Sequence, residues 1–286
     1  TIEADLTVTK LDEDRFLVIA SDNAHGHVQA WLRRRLGDRR ALVADVTSGL
    51  AQINVQGPRS RDLLQAVTSV DLSNEAFPFR AARYIDVGFG RALCVRITYL
   101  GELGYELYVP AEQAMHVYEQ LVAEGTRHDL AHVGLKALSS LRMEKGYRDY
   151  GHDIDNTDTV LETGLGFAVA FDKPGGFIGR DALLARKETG PLTRRLLQVR
   201  LVDPDPLMHH AEIVMRDGVA AGYVRAASYG HTLGGAVGLA MIEADVPVTA
   251  DYLASGAWSV DVAGVTHAAE VSLRPMYDPT NARIKA

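Results

Sequence analysis

The chain has 286 residues, of which 47% are hydrophobic and 23% are charged. That composition is typical of a globular protein, so disorder is not the expected state of the chain. The formal net charge of −7 gives no support to nucleic-acid binding, and no apolar stretch has the length needed to cross a bilayer. The single cysteine, Cys94, lies among apolar residues, which predicts a buried, inert thiol in a reducing compartment.

The first 190 residues mix strand patterns with helix patterns. Strands are predicted at 6–11, 16–20, 52–56, 92–98 and 164–170. Helices are predicted at about 22–36, 57–64, 111–124, 135–145 and 181–186. Glycines at positions 37 and 146 are typical helix stops, and Pro58 suits the first turn of a helix.

From about residue 191 the pattern changes to short strands with no strong helix between them. These strands are predicted at 195–201, 212–216, 223–226, 236–242, 258–262 and 266–273. Asp217-Gly218 is a favoured hairpin turn. The sequence thus predicts an α+β region at 1–190, with two interleaved lobes, and an all-β barrel or sandwich at 191–286.

The most informative motif is the segment 99–108, which follows the strand predicted at 92–98. Gly101 and Gly104 allow a tight turn and a close approach of the backbone to a ligand. The segment also carries two carboxylates and three tyrosines, namely Glu102, Glu106, Tyr99, Tyr105 and Tyr108. An aromatic wall beside an acceptor-only carboxylate suits a flat heterocycle with N–H donors on its edge. The alternative is a hairpin whose acidic residues simply face water.

Other chemistries find little support in the sequence. The ten histidines lack metal-ligand spacing, and no glycine run matches a dinucleotide or phosphate-binding fingerprint. Two polar blocks remain, at 139–147 and at 277–279. Arg142 and Glu144 of the first block are either functional or part of an ion pair that locks the fold, and we favour the structural interpretation for both blocks.

Four separated blocks resemble a known family. They are Ala-Asp-Leu-Thr-Val at 4–8, the segment 99–108, Ser-Leu-Arg-Met-Glu-Lys-Gly at 140–146 and Ala-Ser-Tyr-Gly-His-Thr at 227–232. Together they resemble the aminomethyltransferase, or glycine-cleavage T-protein, family. The last two blocks are closer to the folate domain at the end of dimethylglycine oxidase, dimethylglycine dehydrogenase and sarcosine dehydrogenase. The resemblance covers essentially the whole chain.

The resemblance implies a cloverleaf of three domains around a central hole that holds tetrahydrofolate. Glu106 would grip the donor edge of the pterin ring through two charge-assisted hydrogen bonds. Asp5 would be the catalytic residue, near the folate nitrogen that receives the one-carbon unit. The pocket would be lined by Thr7, Tyr99, Leu107 and Tyr108.

The implied function is capture of a one-carbon unit from an N-methyl amine of the dimethylglycine or sarcosine type, which forms methylene-tetrahydrofolate. Amine oxidation would belong to a partner domain or subunit that binds FAD, in the bacterial cytoplasm or the mitochondrial matrix. The alternatives are a free-standing aminomethyltransferase or folate-dependent demethylase, a non-catalytic folate-binding accessory protein, and a purely structural domain.

Two departures from the family pattern matter. Where classical aminomethyltransferases carry an arginine that pairs with the glutamate tail of folate, this chain has Leu138. The family's opening segment also has no counterpart before Asp5. We therefore expect this chain to be part of a longer flavoenzyme, or to expose apolar surface that needs a partner.

Overall fold

The structure, a computed structural model, describes residues 1–286. The chain forms two compact units, each built from more than one stretch of sequence. The sheet unit comprises Asp5–Leu138 and Thr280–Ala286. The barrel unit comprises Thr1–Ala4 and Ser139–Pro279.

The sheet unit contains six strands and three complete helices. Its strands are β1 (Leu6–Lys10), β2 (Phe16–Ala20), β3 (Leu50–Gln56), β4 (Ala82–Val87), β5 (Gly90–Val95) and β6 (Gly104–Pro110). Its helices are α1 (His25–Arg35), α2 (Ser60–Val67) and α3 (Ala114–Gly125), and the start of α4 (Leu135–Glu144) also lies here. Strands β1 and β2 form a hairpin, and the other four form an antiparallel sheet in the order β3-β6-β5-β4.

The four-stranded sheet packs against helices on one face and, over part of its area, against the hairpin on the other. On one face, Tyr105, Leu107 and Val109 of β6 pack with apolar residues of α2 and α3. On the other face, Tyr108 packs in a cluster that includes Leu17 of the hairpin. Successive residues of a strand point to opposite faces. Residues of β6 therefore alternate between a helix-side core and a hairpin side.

The barrel unit is built around a closed six-stranded barrel with the order β10-β7-β12-β11-β8-β9. Its strands are β7 (Arg194–Leu201), β8 (Ile213–Arg216), β9 (Val219–Gly230), β10 (Gly235–Glu243), β11 (Trp258–Val262) and β12 (Val265–Ser272). It also holds the helices α5 (Arg180–Glu188) and α6 (Ala250–Ala254). Of the two architectures that the strand pattern allowed, the chain forms the barrel.

Apolar residues cover both surfaces of the barrel wall. Leu197 and Val199 of β7 lie in the interior cluster. Leu196 of the same strand lies in a second cluster with Met143 and Ile154, which come from the segment before the barrel. The residues between α4 and β7 therefore belong structurally with the barrel.

The structure corrects two predictions and adds two strands. The strand predicted at 164–170 is wrong, because Gly164 has a left-handed backbone (φ +73°) and Gly166–Ala168 form a 3₁₀ turn. Phe167 in that segment is 78% exposed, so the apolar run is not a buried strand. The barrel region does contain a short helix, α6. Strands β4 and β6 were not predicted. No helix combines the length and apolar character needed to cross a bilayer.

The cysteine behaves as its neighbours predicted. Cys94 lies on the helix side of β5 and is fully buried. Burial raises the pKa of its thiol well above the ordinary value. The predicted burial of the cysteine is thus confirmed, and a thiol with a raised pKa is a poor nucleophile.

Candidate functional site

The candidate site begins with the alternation along β6. Gly104, Glu106 and Tyr108 occupy even positions and share the hairpin side of the sheet, whereas Tyr105 and Leu107 enter the helix-side core. The structure thus brings Glu106 and Tyr108 together on one face. It does not bring the Leu107 side chain to that face, so only the main chain of Leu107 can line a pocket there.

Glu106 and Tyr108 are joined by a short hydrogen bond. The Tyr108 hydroxyl donates to Oε2 of Glu106 at 2.5 Å. Burial raises the pKa of the Glu106 carboxyl, and the bond from Tyr108 opposes that rise. Burial, together with the same bond, raises the pKa of Tyr108. Tyr108 is therefore a neutral donor that holds a half-buried carboxylate in one orientation.

A row of polar residues on β3 continues this face. In the antiparallel register, Asn54 lies opposite Glu106, and Gln56 lies opposite Gly104. Gln52 lies opposite Tyr108 and donates from Nε2 to Oδ1 of Asn54 at 3.4 Å. The row was missed from the sequence, although the alternation Gln-Ile-Asn-Val-Gln at 52–56 is the signal of a strand with one polar face.

Gln56 carries a buried oxygen with no hydrogen-bond partner. Its Oε1 is shielded from solvent and accepts no bond. A Cβ at Gly104 would lie 1.9 Å from this oxygen, so only glycine at that position leaves room for the amide. Leaving a buried acceptor unsatisfied costs about 1–3 kcal/mol. This oxygen lies on the same sheet face as Glu106 and can accept a hydrogen bond from a bound ligand.

The hairpin places Thr7 over the same face of the sheet. Thr7 of β1 pairs with Ile19 of β2, and directly opposed residues share a face. Ile19 packs in the cluster that contains Tyr108. Thr7 is half-buried, and Asp5, two residues earlier, is exposed just before β1 begins.

The remaining residues of the 99–108 segment lie in the bend before β6. Tyr99 is half-buried, and Gly101 adopts the left-handed backbone (φ +79°) that its predicted turn requires. Oε2 of Glu102 lies 3.6 Å from Nη1 of Arg283. Glu102 is therefore engaged within the sheet unit and is separate from the Glu106 face. Leu138 is half-buried near the end of the sheet-unit part of α4.

The two polar blocks at 139–147 and 277–279 hold the barrel unit together. Arg142 forms a buried ion pair with Asp153. Lys145 Nζ lies 3.0 Å from Oδ2 of Asp278 and also donates to the Asp278 carbonyl. The two blocks are thus joined to one another by a buried pair. Arg142 lies in a buried ion pair, as the structural interpretation predicted.

Glu144 anchors the loop that follows β9. Its Oε1 accepts hydrogen bonds from the backbone N–H groups of Thr232 at 2.7 Å and Leu233 at 2.8 Å. Glu144 is 2% exposed. The blocks at 140–146 and 227–232, which carried much of the family resemblance, therefore meet through this carboxylate.

Comparison with known proteins matches both parts of the chain. Residues 1–173 match the GCVT N-terminal domain, and residues 194–278 match the glycine cleavage T-protein C-terminal barrel domain. The 4-methylaminobutanoate oxidase (formaldehyde-forming) of Paenarthrobacter nicotinovorans is 42% identical over 99% of this chain and 34% of its own length. The mitochondrial sarcosine dehydrogenase of Mus musculus is 34% identical over 99% of this chain and 32% of its own length. The chain spans about a third of these relatives.

A solved structure shares the fold. The glycine cleavage system aminomethyltransferase T from Bartonella henselae superposes with a TM-score of 0.81 over 97% of this chain and 73% of that one, at 22% identity. The predicted α+β fold with a C-terminal all-β barrel is thereby confirmed. The chain belongs to the glycine cleavage T-protein family of folate-dependent aminomethyltransferases.

Proposed function

We propose that this chain binds tetrahydrofolate and captures a one-carbon unit released from an N-methyl amine of the dimethylglycine or sarcosine type, giving methylene-tetrahydrofolate. The observation that carries the proposal is the half-buried Glu106, oriented by Tyr108 on a sheet face that also bears an unpartnered acceptor. A carboxylate has acceptors only, and so has an amide oxygen. This face therefore suits a ligand with several N–H donors.

The pterin ring of tetrahydrofolate meets that requirement. Its edge presents a ring N–H next to an amino group, which matches the two oxygens of one carboxylate. Glu106 would hold that edge, Tyr108 would fix the carboxylate, and the Gln56 oxygen is available to a further donor. Thr7, Tyr99 and the main chain of Leu107 would complete the walls.

Asp5 is the proposed catalytic residue. Tetrahydrofolate, when bound, supplies the nitrogen that accepts the one-carbon unit. The exposed carboxylate of Asp5 at the start of β1 can accept a proton from the reacting amine or stabilise positive charge beside it. Holding both reactants together would supply much of the rate advantage.

A flavin-bearing partner completes the proposal. The relatives named above are an oxidase and a dehydrogenase, and this chain spans about a third of each. We propose that an FAD-containing domain or subunit oxidises the amine and delivers the one-carbon unit to this chain. The chain itself supplies pocket and orientation.

The first test is a calorimetric titration with folinic acid. We expect saturable binding that Glu106→Ala weakens at least tenfold, because a hydrogen bond to a charged group is worth about 1.5–3 kcal/mol. Glu102→Ala is the matched control, since its carboxylate belongs to the same segment but faces Arg283. Absence of binding, or an equal loss in both variants, contradicts the folate assignment.

The second test separates binding from catalysis. Formaldehyde and tetrahydrofolate are supplied, and the rate of methylene-tetrahydrofolate formation above the uncatalysed rate is measured. We expect Asp5→Asn to remove most of this acceleration while the affinity for folinic acid stays within twofold. If Asp5→Asn accelerates the reaction as well as the parent chain does, Asp5 has no catalytic role.

A further inference from the structure

The barrel unit contains a cavity whose lining residues are all different from those of the Glu106 face. It has a volume of about 430 Å³. Three cationic residues line it, namely Arg186 and Lys187 of α5 and Arg195 of β7. No aspartate or glutamate is among its lining residues.

The three cations make only neutral contacts. Arg186 Nη1 donates to the Thr189 hydroxyl at 2.7 Å. Lys187 Nζ lies 4.8 Å from the centre of the Phe171 ring. Arg195 Nη1 donates to the carbonyl of Val248 at 3.3 Å. The positive charge on this wall is therefore not matched by an anion of the protein.

Arg195 is the most constrained of the three. Its Nε is buried and has no hydrogen-bond partner, and desolvation lowers the pKa of its guanidinium. Arg194, one residue earlier, shows the contrast, because its guanidinium contacts both Asp158 and Glu162. A guanidinium kept partly buried without a counter-charge is costly unless an external acceptor reaches it.

Another part of the lining is apolar. Apolar side chains of Leu161, Phe167 and Leu192 border the same space. A cavity of several hundred Å³ with apolar walls and a few convergent polar groups has the form of a small-molecule site. Arginine in particular suits planar carboxylates and phosphates, which accept two parallel N–H bonds.

We propose that this cavity, here called the cationic pocket, binds a small organic oxyanion with an apolar stem. The carboxylate or phosphate group would lie against Arg195, Arg186 and Lys187. The stem would pack on the apolar wall beside Leu161 and Phe167. The site is independent of the folate proposal, because all its residues lie in the barrel unit.

The test uses three probes of similar size in calorimetric titrations at low ionic strength. Phenyl phosphate and phenylacetate carry an anion on an aromatic stem, and benzyl alcohol is the neutral counterpart. We expect saturable binding of phenyl phosphate and at least tenfold weaker binding of benzyl alcohol. Binding of phenylacetate as well would assign the pocket to oxyanions in general, whereas phenyl phosphate alone would assign it to phosphate esters.

Two variants assign the binding to this cavity. We expect Arg195→Met and Lys187→Met each to weaken phenyl phosphate binding at least fivefold. Lys187 is exposed, so its substitution tests the pocket even if the Arg195 variant folds poorly. Arg33→Met, an exposed cation of α1, is the matched control. Absence of saturable phenyl phosphate binding, unchanged affinity in Lys187→Met, or equal binding of benzyl alcohol overturns the proposal.

Discussion

Glu106, the proposed pterin anchor, is a carboxylate that the fold holds partly away from water. Burial raises the pKa of its carboxyl, so the folded state holds the proton to a higher pH than the unfolded state does. As pH rises through this interval, the unfolded state loses its proton first, and the free energy of unfolding falls. The cost is fully present above the folded-state pKa and absent below the unfolded one.

We therefore expect Glu106→Gln to unfold at a higher temperature than the parent chain at neutral pH. The glutamine keeps an oxygen that can accept the Tyr108 hydroxyl but has no charge to desolvate. The advantage should shrink as pH falls towards the ordinary range of a glutamate. Thermal unfolding across this pH range measures it, with Glu119→Gln on the exposed side of α3 as control. A variant less stable than the parent at neutral pH would contradict this account.

At the scale of the element, the last residue of α4 fixes a loop elsewhere in the barrel unit. Glu144 ends the helix and binds the backbone of the loop after β9. Glu144, which the sequence left open as a functional residue, therefore has a structural role. The carboxylate accepts hydrogen bonds from two N–H groups that would otherwise need backbone acceptors.

Glu144→Ala removes both acceptors at once. We expect it to lower the free energy of unfolding by about 1–3 kcal/mol, the cost of leaving backbone donors unsatisfied. Glu144→Gln should lose much less, because its amide oxygen can still accept these bonds. Chemical denaturation of both variants measures the difference, and equal losses would show that charge, rather than hydrogen bonding, is what Glu144 contributes.

The strands show what the sequence could and could not predict. Strand patterns locate β3 and β7, whereas the sequence predicts β6, which carries Glu106 and Tyr108, only as part of a turn motif. The strand prediction at 164–170 failed because an apolar run flanked by glycines has the same sequence pattern in a buried strand and in an exposed turn. The positions of Asn54 opposite Glu106 and of Gln56 opposite Gly104 follow from the register between β3 and β6, which no local pattern records. Glu144 reaching Leu233 is a long-range contact of the same kind.

At the scale of the whole molecule, each of the two compact units combines stretches that are far apart in the sequence. The barrel unit begins at Ser139 in its main stretch, well before the first barrel strand, and the sheet unit takes up the chain again at Thr280. Met143 and Ile154 cover apolar residues on the outer surface of the barrel. The predicted division between residues 190 and 191 stays a prediction that fragments can address.

We expect a fragment of residues 139–279 to unfold at a higher temperature, and more cooperatively, than a fragment of residues 191–279. The shorter fragment would expose Leu196 and Met241 to water and would lack Lys145, the buried partner of Asp278. Burying a large apolar side chain is worth about 1.5–3 kcal/mol. Calorimetric scans of the two fragments compare them directly, and equal transition temperatures would support a barrel that is autonomous from residue 191.

The alternation along β6 also determines how mutational damage should divide. Substitutions at 105, 107 and 109 strike the helix-side core, so they should reduce the amount of folded protein in a cell. On the hairpin side, substitutions of the half-buried Glu106 should leave abundance comparatively intact and reduce ligand binding, whereas substitutions of the buried Gly104 and Tyr108 should reduce both. A saturation library scored separately for abundance and for folinic acid binding should thus separate Glu106 from its two neighbours along the strand, Tyr105 and Leu107. Deleting one residue within the strand would exchange the two sets and lose both.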